Sequence, residues 1–125
     1  EYAVSVIPKN KIMMGVPLYG YNWILPYMPG GPWARRVSPQ GAVILAARYG
    51  VAIQYDTKTQ SPFFNYTDAQ GVAHVVWFED ARSVRAKYLL VNEYGLRGVS
   101  YWVLGEPFPQ NWYVLDDMFE LVKVV

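Results

Sequence analysis

The sequence predicts an α/β fold, a segment of a (β/α) barrel that carries a small α+β insertion, and three observations predict it. Two nearly continuous apolar runs, KIMMGVPLYG (11–20) and LRGVSYWVLG (96–105), read as strands covered on both faces, the habit of parallel sheets. A capped helical pattern stands directly before the second run, which completes a unit of strand, crossover helix and parallel strand, right-handed in nearly all cases. An isolated pair of such strands would expose both edges, so the unit asks for further parallel neighbours.

Taken in order, EYAVSVIPKN reads as the tail of a helix and a linker, and a chain opening on Glu1 as a piece of something longer. After the first run, residues 21–37 carry Pro26, Pro29, Gly30, Gly31 and Pro32 and predict an irregular loop. Ser38 followed by Pro39 is a hydroxyl cap with proline at the first helical position, and Gly50 is a stop, so 39–49 is predicted as helix. VAIQYD (51–56), PFFNYT (62–67) and VAHVVWF (72–78) are rich in β-branched and aromatic residues; the last two, joined by DAQG, predict a hairpin. Asp80 caps ARSVRAKYLLVNEY, in which Ala81, Val84, Tyr88 and Leu89 fall close to one helical face, and Gly95 closes the helix. A last helix is expected over about 113–122.

Composition narrows the function. With 53% hydrophobic and 17% charged residues the chain of 125 can bury a core. A net charge of +1 gives no electrostatic footprint for nucleic acid or an anionic membrane, and Arg35-Arg36 is the only adjacent basic pair. There is no cysteine and one histidine, His74, so a zinc cluster would need carboxylates for nearly all its ligands. No apolar run approaches the ~20 residues of a membrane span.

In parallel barrels the chemistry sits where strands end on the carboxyl side. Those ends are aromatic here: Tyr19-Gly20-Tyr21-Asn22-Trp23 after the first strand, and Trp102 to Trp112 within and after the second. Aromatic faces pack on the C–H faces of sugar rings while amide and phenol groups satisfy the hydroxyls. Plain core packing is the alternative for any one ring, but two clusters at matching strand ends point to a site.

At these residues a resemblance appears. IMMGVPLYGYNW, WFEDARSVRAKYLLVNEYGLRGVSYWVLG and PFPQNW resemble the last third of family 18 glycoside hydrolases, and within it the spore-cortex-lytic N-acetylglucosaminidase branch. PLYG and YGLRGVSYW are the specific parts. The resemblance implies the C-terminal part of a (β/α)8 TIM barrel, with the seventh and eighth strands and their helices in 1–23 and 79–125 and a chitinase-type insertion in 24–78. It also implies cleavage of β-linked N-acetylglucosamine polymers, chitin or cortex peptidoglycan, with retention, the substrate's own acetamido oxygen attacking the anomeric carbon. No cofactor or metal is implied; the residues themselves indicate no location, and the resemblance implies a spore-associated or extracellular one. Substrate-binding residues carried over by position are Trp102, the floor under the reacting sugar, and Tyr19, lining the same subsite. Tyr21 stands where many chitinases have arginine; Trp23 and Asn22 belong to the YGYNW variant and are expected to contact sugars.

The family's acid is the glutamate of a D-x-x-D-x-D-x-E signature on the fourth strand, and no such spacing exists among the ten carboxylates here. No catalytic residue is therefore assigned, and the fragment alone is expected to be inactive. Glu106, after the eighth strand, is the one carboxylate worth testing as an acid. Glu79 reads as a solvated acid, Asp116-Asp117 as helix-opening surface charge, His74 as a strand histidine without an oriented partner, and Met13-Met14 as core filler. A non-catalytic glycan-binding or scaffold module is the alternative. Single-stranded nucleic acid on aromatic platforms would need a basic groove, and the open strand edges suggest pairing with a second copy.

Overall fold

The computed structural model describes residues 1–122. A short helix α1 (Tyr2–Val6) and a 3₁₀ turn (Lys9–Lys11) lead into β1 (Met13–Pro17), which pairs in parallel with β7 (Gly98–Trp102), Met13 opposite Gly98 and Pro17 opposite Trp102. Between them lie β2 (Gly20–Leu25), β3 (Arg35–Val37), α2 (Pro39–Arg48), β4 (Gln54–Asp56), β5 (Ser61–Thr67), β6 (Ala73–Trp77) and α3 (Ala81–Tyr94), and α4 (Pro109–Met118) follows β7. Strands β3-β2-β6-β5-β4 form one antiparallel five-stranded sheet.

Two cores result. In one, α2 lays Ala42 and Ala46 on the sheet residues Phe64, Tyr66 and Val76, with Phe78 beside them. In the other, α3 and α4 cover one face of the β1–β7 pair: Val16, Leu18, Val84, Tyr88 and Phe108 are buried together, and Met14, Val99 and Tyr101 pack against them. Alternation along a strand sends every second side chain to each face, so Met14 and Val16 meet the helices while Met13 and Gly15 do not.

That alternation corrects the expectation of strands buried on both faces. Met13, Gly15, Ser100 and Trp102 are exposed, because among the described residues nothing covers the second face. Met13 is accordingly exposed and only Met14 fills the core.

The expected loop over 21–37 is a second correction. Tyr21 to Leu25 continue as β2, pairing antiparallel with β6 from Tyr21↔Trp77 to Leu25↔Ala73, and Gly20 to Asn22 pair with β3. Proline and glycine mark only 26–32; the residues before them are β-formers that find a partner too distant in sequence to be foreseen. Gly20 is not the end of a strand but a close approach: a Cβ there would lie 2.3 Å from the Trp77 carbonyl oxygen and 2.5 Å from Phe78 Cβ. The five-stranded sheet thus begins at Gly20, ahead of the boundary expected at 24.

Elsewhere boundaries shift. Ser38 accepts from the Gly41 amide and Pro39 opens α2. Residues 51–53 are coil, with Val51 and Ile53 packed on the first core before β4 begins. The hairpin β5–β6 forms as expected, its turn held by Asp68, which accepts from the amides of Gln70 and Val72. Asp80 and Ser83 form a capping box on α3, and Gly95 ends that helix at φ 58°. The helix buries Ser83, Val84, Tyr88 and Val91, whereas Leu89 is exposed on the flank of that stripe. The last helix starts at Pro109, four residues before the expected start, proline again serving the first helical position. Asp116 and Asp117 consequently sit in its last turn, where the helix dipole disfavours anions; Arg85 on α3 pairs with Asp117 at 2.8 Å.

Candidate functional site

The uncovered face of the β1–β7 pair ends in an open hollow of about 310 Å³ whose walls include Gly15, Pro17, Tyr19, Ser100 and Trp102. Tyr19 and Trp102 therefore look into one space. The level of the two strand ends is fixed by the amide of Leu18, which donates to the Trp102 carbonyl at 2.9 Å. Trp102 is 70% exposed, an unusual state for the largest side chain on a sheet. Pro17 beside it offers no N–H, and Gly15 and Ser100 are too small to fill the floor.

Aromatic rings continue outward from the hollow. Tyr19 meets Tyr21 edge to face at 5.5 Å between centroids, and Tyr21 meets Trp23 at 6.0 Å. Alternation on β2 puts Tyr21 and Trp23 on the face of the five-stranded sheet opposite α2, where both stay 40% exposed. The four aromatic residues predicted for a sugar site, Trp102, Tyr19, Tyr21 and Trp23, thus form one hollow and one adjoining path.

Other predicted members separate from it. Asn22 lies on the α2 side: its amide donates to the Tyr66 hydroxyl at 2.8 Å, and its Oδ1 is 3.0 Å from His74 Nδ1. The cluster 102–112 splits as well. Phe108 is buried in the second core, and Trp112 on α4 packs edge to face on Tyr101 at 5.2 Å, on the helix side of β7. A strand followed by a helix places successive aromatics on different sides, which spacing in a loop cannot reveal.

Polar groups beneath the hollow are tied among themselves. The Tyr88 hydroxyl donates to Asn111 Oδ1 at 2.5 Å and lies 2.8 Å from the Tyr101 hydroxyl. Burial, and then the hydrogen bond with Tyr101, push the Tyr88 phenol well above its ordinary value. Asn111 is fully buried and its Nδ2 has no partner.

The acidic candidates resolve in different ways. Glu79, expected to be solvated, is buried: Lys87 Nζ donates to both its oxygens at 2.8 and 2.9 Å, and Ser83 Oγ donates at 2.6 Å. Glu106 faces the Arg36 guanidinium across 3.7 Å, the posture of an ion-pair partner. His74 does have an oriented partner, Asp68 Oδ2 at 3.2 Å, and stacks on Tyr66 at 4.6 Å. Hydrogen bonds from the Val72 amide, and further ones from His74 and the Gln70 amide, hold the Asp68 carboxyl below its usual range. No serine or threonine lines the hollow beside His74, so the pair has no nucleophile to activate. Among the described residues no group of three potential metal ligands occurs.

Arg36 is the residue that sequence reasoning missed. It stands over the Tyr19 ring, 5.0 Å from the centroid, because β3 pairs Arg36 opposite Tyr21. The adjacent basic pair was visible, but without β3 nothing indicated that one arginine would reach the aromatic rim.

Comparison with known proteins agrees with this architecture. A sequence profile described as Glycosyl hydrolases family 18 matches residues 1–106. The chain is 57% identical over 123 residues to the cortical fragment-lytic enzyme of Bacillus subtilis (strain 168), covering 98% of this chain and 28% of that protein. The crystal structure of the Bacillus megaterium QM B1551 spore cortex-lytic enzyme SleL superposes with a TM-score of 0.95 at 60% identity, over 99% of this chain and 29% of the other. A chitinase from Chromobacterium violaceum ATCC 12472 superposes with a TM-score of 0.81 at 40% identity, over 92% and 35% of the two chains. The chain spans less than a third of the length of the cortex-lytic relatives.

Proposed function

Since the chain belongs to family 18 of the glycosyl hydrolases, we propose that it is the carboxyl-terminal portion of a glycosidase that cleaves β-linked N-acetylglucosamine polymers, cortex peptidoglycan or chitin. In this reading β1 and β7 are the seventh and eighth strands of a (β/α)8 barrel, within residues 1–23 and 79–125, and the insertion of 24–78 extends by strand pairing back to Gly20. The remaining strands of the barrel would pair with the free edges of β1 and β7; in the isolated chain a second copy is the alternative partner for them.

The observation that carries the reading is the shared hollow of Tyr19 and Trp102 at the carboxyl ends of two parallel strands. An amino-sugar stacked on the exposed Trp102 indole, with Tyr19 at its edge, would be held where its acetamido oxygen can attack the anomeric carbon. This portion supplies floor and wall. The proton donor to the departing sugar comes from elsewhere in the whole protein, since no carboxylate here is spaced or placed for that task. Tyr21 and Trp23 extend the platform to neighbouring sugars.

The test uses the whole protein and chitooligosaccharide or cortex glycan, with the Trp102→Ala variant as comparison. Cleavage by the wild type and loss of most turnover in the variant support the assignment; near-normal turnover overturns it. Titrating chitooligosaccharide into the whole protein while following tryptophan fluorescence and product release separates the second reading, a glycan-binding module, which predicts binding without hydrolysis even there.

A further inference from the structure

Strand register carries the aromatic rim further than β2. Tyr21 lies opposite Trp77 of β6, Trp77 lies opposite Phe63 of β5, and Phe63 lies opposite Gln54 of β4. Residues directly opposite one another share a face of the sheet, so these four form one row at right angles to the strands. The row stands on the side away from α2, which packs on Phe64, Tyr66 and Val76 of the alternate positions. Trp77 and Phe63 stack at 4.6 Å between centroids, with 18° between their planes, and both remain partly exposed. Neighbouring strands lie ~4.8 Å apart, which puts Phe63 about 10 Å across the sheet from Tyr21. Gln54, and Asn65 two residues along β5 from Phe63, are exposed and bring amide groups to the far end of the row.

We propose that the Trp77–Phe63 pair is a further sugar-binding subsite, which holds a unit of the glycan distant from the cleaved bond and so selects for chain length. The inference rests on the reading of the Tyr19–Trp102 hollow as the place of cleavage. Core packing does not account for the pair, because the buried residues of this sheet point to the other face. Large rings kept together on an open face mark a surface that something else covers. Tyr21 has Tyr19 and Trp23 as its ring neighbours, at 5.5 and 6.0 Å, whereas Trp77 has Phe63. The row therefore offers two separate aromatic groups to two sugar rings. A sugar ring is about as wide as one strand spacing, so successive units of a chain crossing the sheet meet the strands in step. No charged side chain stands in the row from Tyr21 to Gln54, which suits the C–H faces of sugars and gives a nucleic acid no phosphate contact. The stacked rings hold each other in place before a sugar arrives, so little side-chain entropy is lost on binding.

Soluble cortex glycan fragments of two lengths, a tetramer and an octamer, test this in the whole protein. The wild type is expected to cleave the octamer about tenfold more efficiently in kcat/KM, the scale of one good aromatic contact. The ratio of the two efficiencies is the readout, because any loss of folded protein lowers both alike and leaves the ratio unchanged. Trp77→Ala should bring the ratio to within about twofold, and Trp77→Phe, which keeps an aromatic face, should retain most of it. Equal efficiency on both lengths in the wild type overturns the proposal. So does a Trp77→Ala variant that keeps the wild-type ratio, and so does a ratio that falls only in Trp23→Ala, the result expected of a chain that follows β2. A wild-type protein that cleaves neither fragment removes the reading of the hollow itself, and the inference falls with it.

Discussion

The amide of Leu18 donates to the carbonyl of Trp102 at 2.9 Å, one step beyond the last register pair of Pro17 and Trp102. This bond holds the turn that carries Tyr19 level with the end of β7. Buried Leu18 anchors the same turn in the core below. The aromatic hollow is therefore set by the register of β1 on β7 together with the turn at Leu18 and Tyr19 that this bond holds.

Trp102→Ala should reduce kcat/KM of the whole protein by about tenfold or more, equivalent to at least ~1.4 kcal/mol of transition-state binding. Because the indole is 70% exposed, unfolding stability should change by no more than about 0.5 kcal/mol. Steady-state kinetics and urea unfolding on one preparation check both halves of the expectation.

Gly20→Ala should destabilise the fold by about 1–3 kcal/mol, the usual cost of overpacking. The added methyl would sit 2.3 Å from the Trp77 carbonyl oxygen, so β2 and the strand end at β6 must separate. A lowered urea midpoint with an unchanged denaturant slope is the expected result; an unchanged midpoint contradicts it.

Tyr88→Phe deletes the hydroxyl shared by Asn111 and Tyr101 and should cost about 1–3 kcal/mol, since Asn111 Oδ1 loses its donor in the core. The variant also has a pH signature. Burial raises the phenol of Tyr88 in the folded protein, so near pH 10 the unfolded chain ionises first and binds fewer protons. Stability of the wild type should fall as pH rises above about 10, and part of that slope should vanish in Tyr88→Phe.

Asp68→Asn acts at the opposite limb. The folded carboxyl lies below its usual range through hydrogen bonds led by the Val72 amide, so it favours the folded state above pH ~4 and ceases to do so as pH falls through the folded value. The acid limb of the stability curve should be flatter in the variant. Asp56, lowered by the Lys58 amide and the Thr59 hydroxyl, keeps part of that limb in place.

Local chemistry was legible where a residue acts on its own backbone. Ser38-Pro39, the capping box of Asp80 and the left-handed Gly95 mark α2 and α3 within a residue or two, because each satisfies helix ends a few positions away. Pro109 opens α4 as Pro39 opens α2, but it follows Phe108, whose side chain caps nothing, so half of the signal was missing. The strands β2 and β3 were not legible, since their hydrogen bonds go to partners such as Trp77 and Tyr21 that local sequence cannot nominate.

The aromatic residues themselves, their clustering at two strand ends, the family likeness and the lack of the acidic signature were determined by the sequence alone. Only the tertiary structure decided which rings share a space. Pleating set Trp102 apart from Tyr101, on which Trp112 of α4 packs, and Tyr21 apart from Asn22, and antiparallel pairing of β3 with β2 brought Arg36 over Tyr19. A side chain's kind is written in the chain, but the face it presents depends on register, and register is fixed by contacts between residues far apart along it.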